Sequence, residues 1–232
     1  MPDLGGRVAL VTGTAQGIGA GILDALREHG ATAHGVDRDT VDVSDPGRVA
    51  SLVEEIGRID ILVNNAGGVA GQVGVPVEEV SDDDWRAIVD ANLTTTFVCT
   101  RAVVPGMKAA RYGRIVNISS GAGRSVSLTG IQAYASAKAA QIGFTRQTAH
   151  ELGPFGITVN SIAPGFVLSN QASIRQWESY GAEGQQAILR AIATGRLGEP
   201  EDIANGVLFF VAEEASWVTG QVISIDGGHS IF

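Results

Sequence analysis

The chain has 232 residues, of which 44% are hydrophobic and 18% are charged, and its formal net charge is −9. This composition excludes a disordered chain, and the length is that of one domain of ordinary size. The negative charge argues against nucleic acid as a partner, because its phosphates would be repelled. The single cysteine, Cys99, excludes an intrachain disulfide and a four-cysteine zinc site. With no signal-peptide pattern and no apolar run near about 18 residues, the sequence predicts a cytoplasmic protein without a membrane partner.

Short β-branched runs alternate along the chain with longer helical patterns. Strands are predicted at Val8–Thr12, Thr32–Val36, Ile61–Asn64, Ile115–Ser119, Ile157–Ile162 and Val222–Ile225. Helices are predicted at Ile18–His29, Pro46–Ile56, Asp83–Ala110, Ala133–Leu152, Gln185–Ala193 and Pro200–Val211. Most strands are continuously apolar, which is typical of strands buried on both faces of a parallel sheet. The order predicts one α/β domain, a doubly wound parallel sheet of Rossmann type, with its ligand beyond the carboxyl ends of the strands.

The connection after the second strand looks too short to hold the helix of a parallel crossover. Asp42 and Val43 follow almost at once after Val36, whereas a parallel crossover needs about a dozen residues. The helix of this crossover is therefore expected to be missing or reduced to a turn, and any strand at Val41–Val43 to be very short.

A glycine-rich loop joins the first strand to the first helix. Gly13, Gly17 and Gly19 permit a tight turn and a close approach of backbone to a pyrophosphate, and Gln16 and Ile18 lie at the start of the helix. A plain strand–helix turn is the alternative, but the position at the first strand–helix junction favours dinucleotide binding.

An acidic residue follows the second strand, where a dinucleotide-binding fold places the adenosine ribose. The carboxylate of Asp37 can accept hydrogen bonds from a ribose 2′-hydroxyl and would repel a 2′-phosphate. Arg38 complicates this interpretation because a guanidinium can pair with a phosphate. The charge argument favours NAD over NADP, and the alternative for Asp37 is a helix or turn cap.

A tyrosine and a lysine share one face of the fourth predicted helix. Tyr134 and Lys138 are four residues apart, and only one other lysine, Lys108, occurs in the chain. A nearby cation favours phenolate and lowers the tyrosine pKa, so Tyr134 could exchange a proton with an alcohol or carbonyl oxygen. A solvated helix face is the alternative, but the alanine-rich surroundings indicate a packed helix.

Two hydroxyls end the strand that precedes this helix. Ser119 or Ser120 could hold a substrate oxygen, although serines are common at strand ends. The histidines are scattered and form no cluster with cysteine or aspartate, so the sequence predicts no metal site.

Taken together, these motifs resemble the short-chain dehydrogenase/reductase family, in its compact single-domain type, over nearly the whole chain. The matching residues are Thr12-Gly13-x-x-x-Gly17-Ile18-Gly19, Asn64-Asn65-Ala66-Gly67, Asn92, Ser120, Tyr134-x-x-x-Lys138, Pro164-Gly165, Arg196-x-Gly198-x-Pro200-x-Asp202-Ile203-Ala204 and Thr219-Gly220-x-x-x-x-x-Asp226-Gly227-Gly228.

The resemblance implies a role for each site residue. Tyr134 would be the general acid/base, Lys138 would lower its pKa and hold the nicotinamide ribose, and Ser120 would bind the reacting oxygen. Asn92 would anchor a water that links Lys138 to solvent. The remaining contacts implied for the cofactor come from Asn65, Ala66 and Gly67 on the adenosine side, Asp42 and Val43 at the adenine ring, and Pro164, Gly165, Val167 and Ser169 at the carboxamide.

Three departures from the family pattern stand out. The spacing from Ser120 to Tyr134 is one residue longer than the commonest one, which leaves Ser119 as a weak rival. Ser169 stands where threonine is usual and can donate the same hydrogen bond. The Asp37–Asp42 segment is short, which trims the adenosine pocket as in some NAD-using members.

The expected reaction moves a hydride between NAD(H) and the carbon of a secondary alcohol or ketone. A lid is expected around residues 169–195. Phe166, just before it, and Trp177, within it, could face a cyclic or aromatic substrate or form a small core of the lid. Two other functions stay open: an NADPH-dependent reductase of 3-oxoacyl thioesters and a non-catalytic cofactor-binding scaffold.

The apolar helices Asp83–Ala110 and Ala133–Leu152, together with the tetrameric state usual in the family that the chain resembles, predict a homotetramer.

Overall fold

The computed structural model describes residues 2–230, which form one six-stranded parallel sheet with helices on both faces. The strands are β1 (Val8–Thr12), β2 (Thr32–Val36), β3 (Ile61–Asn64), β4 (Gly113–Ile118), β5 (Ile157–Pro164) and β6 (Val222–Ile225). The α-helices are α1 (Gly17–Glu28), α2 (Pro46–Ile56), α3 (Asp82–Val89), α4 (Thr95–Ala110), α5 (Gln132–Leu152), α6 (Gln171–Ser179), α7 (Gly181–Ala191) and α8 (Pro200–Val211).

The strand order is β2-β1-β3-β4-β5-β6, and every neighbouring pair is parallel. The order reverses between β1 and β3, and this switch point opens a crevice beyond the carboxyl ends of the strands. The predicted doubly wound fold is confirmed. The buried strands explain why the sequence pattern was continuously apolar rather than alternating.

Two hydrophobic cores lie on opposite faces of the sheet. Ala9 and Val11 of β1 face the core formed with α1 and α8, whereas Leu10 between them faces the core formed with α2 and α4. This alternation follows from the two-residue period of a strand. The two cores hold the sheet rigid, so the loops at its carboxyl edge are presented from a fixed base.

The prediction of a missing crossover helix after β2 is wrong. β3 pairs with β1 and not with β2, so the chain crosses β1 between the two strands, and α2 is the helix of that crossover. Val41–Val43 forms no strand. Backbone hydrogen bonds from Thr40 and Val41 to the Asp37 carbonyl turn the chain there instead, which leaves β2 as an edge strand of the sheet.

The predicted single helix Asp83–Ala110 is interrupted. Residues Asp90–Thr94 form a π-helical turn between α3 and α4. The Asn92 amide donates to the Ile88 carbonyl at 2.8 Å, and the Thr96 hydroxyl donates to the Asn92 carbonyl at 2.9 Å. Such side-chain bonds compete with the backbone ladder, and turns of this kind occur often at functional sites.

The segment after β5 contains one helix more than predicted. The structure extends the predicted helix Gln185–Ala193 to α7 and adds α6 before it. The Asn170 side chain caps α6 in a capping box with Ser173, a pattern that is readable in the sequence. Among residues 2–230, no helix is both long and apolar enough to cross a membrane.

Candidate active site

A cavity of about 930 Å³ opens at the carboxyl edge of the sheet. It brings together most of the residues predicted from the sequence: Gly13, Gln16, Ile18, Gly19, Asp37, Arg38, Asp42, Val43, Asn65, Ala66, Gly67, Ser120, Tyr134, Lys138, Pro164, Gly165, Val167 and Ser169. Four predicted residues are not in its lining: Gly17, Asn92, Phe166 and Trp177. Nothing in the cavity resembles a metal site, since residues 2–230 hold no cluster of three His, Cys, Asp or Glu side chains.

The glycine loop closes one end of this cavity. A Cβ at Gly19 would overlap the Gly13 carbonyl oxygen, and a Cβ at Gly17, whose φ is +65°, would lie 2.7 Å from the Ser169 carbonyl oxygen. No side chain caps the start of α1 at Gln16. The first N–H groups and the positive end of this twelve-residue helix therefore face the cavity, as a pyrophosphate requires.

The end of β3 is tied to the same loop. The Asn65 side-chain amide donates to the carbonyls of Thr12 and Gly13 at 3.0 and 2.9 Å. The Thr12 hydroxyl in turn accepts from the backbone N–H of Asn65 and of Ala66 at 3.1 and 2.9 Å. These bonds fix the floor of the cavity at the switch point between β1 and β3.

The end of the cavity next to the carboxyl end of β2 is lined by acidic side chains. Asp37 accepts from the Ala15 N–H at 2.9 Å, so its carboxylate is held against the glycine loop. Asp39 and Asp42 line the same end, and Arg38 is the cationic side chain beside them. Hydrogen bonds from Ser44 lower the pKa of Asp42, which keeps that carboxylate ionised. An additional phosphate would meet an excess of negative charge here.

The structure separates the two candidate serines. The Ser119 hydroxyl is buried and donates to the Lys138 carbonyl at 2.8 Å, so it serves the packing of α5. The Ser120 hydroxyl lies in the cavity lining and hydrogen-bonds Tyr134. Ser120 is therefore the serine placed to hold a substrate oxygen.

Tyr134 is half-buried at the cavity wall. Burial raises the pKa of its phenol above 10, and the hydrogen bond with Ser120 acts in the opposite direction without cancelling this effect. The expected lowering of the Tyr134 pKa by Lys138 is thus not found in the ligand-free protein. The ammonium nitrogen of Lys138 lies over the tyrosine ring, 5.8 Å from its centre.

Lys138 is 3% exposed, and its ammonium donates to the Ile118 carbonyl at 2.9 Å. Burial lowers the pKa of Lys138 from 10.5 to about 7. Between these two values the unfolded chain binds more protons than the folded one, so the stability of the ligand-free protein should rise as pH increases from about 7 toward 10.5.

Replacing Lys138 by methionine removes this buried ammonium. Lys138→Met is expected to stabilise the ligand-free protein by about 1–3 kcal/mol near neutral pH and to flatten the rise of stability with pH. Thermal melts from neutral to mildly alkaline pH measure both effects. Lys108→Met is the control, because Lys108 is partly exposed in an ion pair with Glu151 and should leave the rise unchanged. A melting temperature of Lys138→Met equal to wild type at every pH would contradict the prediction.

Asn92 lies in the π turn and is fully buried. Its side chain holds Gly68 through two bonds, accepting from the N–H at 2.9 Å and donating to the carbonyl at 2.8 Å. A Cβ at Gly67 would lie 2.5 Å from the Asn92 oxygen. Asn92 therefore shapes the Gly67–Gly68 wall of the cavity from behind.

The aromatic side chains of the lid segment pack on one another. The Phe166 ring lies 5.9 Å from that of Trp177 and 6.0 Å from that of Tyr180, measured between ring centroids. These aromatic side chains thus form the small core of the lid that the sequence analysis gave as the alternative to a substrate-facing surface. Neither Phe166 nor Trp177 lines the cavity in this conformation.

Sequence reasoning missed several residues of the lining. They are Ala15, Asp39, Ser44, Gly68, Ala70, Ala87, Asp90, Ala91, Thr95, Ile118 and Asn170. For Asp39 a signal was available, since it follows Asp37 and Arg38 directly. Ala87, Asp90 and Ala91 line the cavity at and just before the π turn, and sequence periodicity does not reveal a π turn.

Comparison with known proteins agrees with this geometry. Residues 13–230 match the family model described as enoyl-(acyl carrier protein) reductase. The chain is 39% identical to (2S)-[(R)-hydroxy(phenyl)methyl]succinyl-CoA dehydrogenase subunit BbsD of Thauera aromatica, with 97% of each chain covered. The chain belongs to the short-chain dehydrogenase/reductase family.

Solved structures of this family superpose closely on the chain. A 3-oxoacyl-[acyl-carrier protein] reductase from Brucella melitensis with bound NAD has a TM-score of 0.86 at 35% identity, covering 98% of this chain and 92% of its own. A Beutenbergia cavernae protein, provisionally described as an NAD(P)-dependent gluconate 5-dehydrogenase with NADP at low occupancy, has a TM-score of 0.87 at 34% identity, covering 98% of each chain. As a member of this family, the protein is an oxidoreductase that acts on CH–OH groups and uses a nicotinamide dinucleotide.

Proposed function

We propose that the protein interconverts a secondary alcohol and a ketone of a small molecule with NAD(H) as cofactor, Tyr134 acting as general acid/base. The observation that carries this proposal is the arrangement of Ser120, Tyr134 and Lys138 in one cavity with the glycine loop and Asp37. A loop for the pyrophosphate, a carboxylate for the ribose and a proton-transfer group thus share one space.

The bound dinucleotide supplies the hydride donor or acceptor. The Ser120 hydroxyl holds the substrate oxygen. Tyr134 takes the alcohol proton as phenolate in the oxidation and, as phenol, returns a proton to the carbonyl oxygen in the reduction. Lys138, whose pKa is about 7, contributes a positive charge beside Tyr134 when it is protonated. Burial raises the pKa of the Tyr134 phenol, and we propose that the positive charges of Lys138 and of the oxidised nicotinamide oppose this effect.

The choice of NAD over NADP rests on the acidic end of the cavity. Asp37 is held in place by the Ala15 N–H, and Asp39 and Asp42 add two further carboxylates against the one guanidinium of Arg38. A ribose 2′-hydroxyl can donate to Asp37, whereas a 2′-phosphate would be repelled.

The experiment that tests the function is oxidation of a panel of secondary alcohols with NAD⁺, followed by NADH formation. The panel includes cyclic and aromatic alcohols, because Trp177 of the proposed lid, residues 169–195, packs against Phe166 just before it. Opening of that lid would expose the aromatic cluster to a substrate. Failure of every alcohol, and of the matching ketones with NADH, would count against the proposal.

Reduction of 3-oxoacyl thioesters with NADPH is the second candidate. The thioester substrate is favoured by the name of the Brucella melitensis relative, a 3-oxoacyl-[acyl-carrier protein] reductase, although that structure holds NAD. Faster turnover of an acyl thioester with NADPH than of any alcohol with NAD⁺ would support this candidate over the first.

The exposed aromatic residues support the proposed homotetramer. Phe97 of α4 is 43% exposed and packs edge-on against Phe144 of α5, while Phe209 of α8 and Trp217 are 54% and 98% exposed. Two separate apolar surfaces would allow two kinds of subunit contact, as a tetramer with closed symmetry needs.

Light scattering tests the oligomer. We expect a tetramer at micromolar concentration, and Phe97→Glu should reduce the mass because a buried interface would receive an unpaired charge. Val126→Glu is the control, since Val126 is an exposed loop residue outside both surfaces and should leave the mass unchanged. A monomeric wild type would contradict the prediction.

A further inference from the structure

A second groove opens beside the cavity that holds Tyr134. It has a volume of about 340 Å³ and lies between residues 71–84 and residues 131–133. Volumes of about 300–1,000 Å³ are typical of small-molecule sites. We call this space the side groove. None of the residues that the proposed mechanism gives to the cofactor or to proton transfer lines it.

The side groove adjoins the cavity at two places. Ala70 lines the cavity, and the next residue, Gly71, lines the side groove. In the same way, Tyr134 lines the cavity and Ala133 lines the side groove. The border between the two spaces is the small cluster in which the Tyr134 ring packs with Ile131 and Ala133. A substrate whose alcohol carbon lies at Tyr134 can therefore extend across this border into the side groove.

Hydrogen bonds hold the walls of the side groove in place. The side-chain amide of Gln132, at the start of α5, donates to the Val75 carbonyl at 2.8 Å. The side-chain amide of Gln72 donates to the Asp84 carbonyl at 2.8 Å and to the Asp84 carboxylate at 3.3 Å. The loop that forms one wall is thus anchored to α5 on one side and to α3 on the other.

Apolar side chains in this lining are open to solvent. Val73 is 76% exposed and Val75 is 36% exposed, and Val80, Ile131 and Ala133 complete the apolar part of the lining. A ligand that covers exposed apolar side chains removes their surface from water, which favours its binding. The side groove is therefore suited to an alkyl chain or a similar apolar group.

The ionisable side chains of the side groove are acidic. In its lining, as far as the structure describes the chain, Glu79 and Asp84 supply two carboxylates and no basic residue is present. Two carboxylates repel a ligand that ends in a carboxylate or a phosphate, and they do not repel an uncharged ligand. The charge of the side groove thus selects against anionic groups.

We infer that the side groove binds the part of the substrate that is remote from the reacting carbon, and that this part is an uncharged apolar chain. The inference rests on the proposed function, in which Tyr134 marks the position of the alcohol. It names a substrate class: secondary alcohols or ketones with an apolar tail are favoured over the same compounds with an anionic end. Val75 and Glu79 then determine the specificity for tail length and for tail charge.

Straight-chain secondary alcohols of increasing length test the role of the apolar side chains. With NAD⁺ we expect kcat/KM to rise about two- to fourfold for each methylene that the side groove covers. Val75→Ser should flatten this rise, and Val73→Ser takes its place if that variant does not fold. Val77→Ser is the matched control, because Val77 is 70% exposed on the same loop and does not line the side groove. A wild-type kcat/KM that is independent of length, or equal flattening in Val75→Ser and Val77→Ser, would overturn the inference.

The same alcohols with a terminal carboxylate test the role of charge. We expect the wild-type kcat/KM to fall at least about tenfold when the tail ends in a carboxylate, and Glu79→Lys to recover most of this loss. Glu78→Lys is the matched control, because it changes the net charge equally and Glu78 does not line the side groove. Equal recovery in both variants, or a wild type that does not discriminate, counts against the inference.

Binding of a long-chain methyl ketone decides the inference without turnover. Valine methyl NMR signals, assigned with the three valine variants, should shift for Val73 and Val75 and stay unchanged for Val77. If neither alcohols nor ketones are converted, the proposed function fails, while these methyl signals still report whether the chain occupies the side groove. If alcohols are oxidised but the Val73 and Val75 signals do not shift, the inference fails alone.

Discussion

Tyr134→Phe is expected to lower kcat by about three orders of magnitude while leaving the affinity for NADH within a few fold of wild type. General acid–base groups contribute about 10²–10⁴-fold to a rate, and the phenol is the group that adjoins Ser120 in the cavity. The ring itself remains in the small cluster with Ile88, Ile131 and Ala133, so the substitution should not disturb the fold. Loss of the Tyr134 hydroxyl would then lower the rate of catalysis without weakening the binding of NADH.

Steady-state rates with the alcohol that proves most active measure the first effect, and NADH fluorescence titration measures the second. Tyr180→Phe is the control, because the Tyr180 hydroxyl accepts from Gln176 at 2.7 Å within the lid and takes no part in proton transfer. A Tyr134→Phe enzyme with more than about a tenth of the wild-type rate would exclude Tyr134 as the acid/base.

Gly19→Ala is the second substitution with a large expected effect. The added Cβ would overlap the Gly13 carbonyl oxygen and would lie 2.5 Å from the side-chain nitrogen of Asn65, neither of which can move without breaking the bonds that tie β3 to the loop. We expect destabilisation of about 1–3 kcal/mol and at least about tenfold weaker NADH binding, because the loop would be pushed into the pyrophosphate space.

Gly143→Ala provides the matched control for this substitution. Gly143 lies within α5, and a Cβ there would meet nothing within 4 Å. That change should stabilise the protein by about 0.4–1 kcal/mol and leave NADH binding unchanged. Thermal melts and NADH titrations on both variants measure the contrast, and wild-type NADH affinity in Gly19→Ala would contradict the role given to the loop.

The sequence predicted most of the sheet, because buried parallel strands give short apolar runs that periodicity detects. Four strands have their predicted bounds, whereas β4 begins earlier and β5 extends to Pro164. The helix of the crossover after β2 was wrongly expected to be missing, because Val41–Val43 was treated as a possible next strand and the structure forms none there. In the structure the chain crosses β1, and α2 lies within that longer path.

The candidate site was predictable where a motif fixes the backbone. The glycine loop, Asp37 and the Tyr134–Lys138 pair lie in the cavity because strand ends and helix spacing place them there. The π turn at Asp90–Thr94 was not predictable from periodicity, since it is accompanied by side-chain bonds of Asn92 and Thr96 that compete with the backbone ladder. Burial, a tertiary property that the sequence pattern does not show, raises the pKa of Tyr134.

The most direct test of the proposed NAD(H) dependence compares NADH and NADPH as stabilising ligands at equal concentrations. A ligand at 100 times its Kd adds about 2.7 kcal/mol, which a thermal melt detects easily. We predict that NADH raises the melting temperature more than NADPH and that Asp37→Ser narrows the difference, because the carboxylate that repels the 2′-phosphate is gone. Stabilisation by NADPH equal to or greater than that by NADH would contradict the role of Asp37 and would favour the thioester reductase.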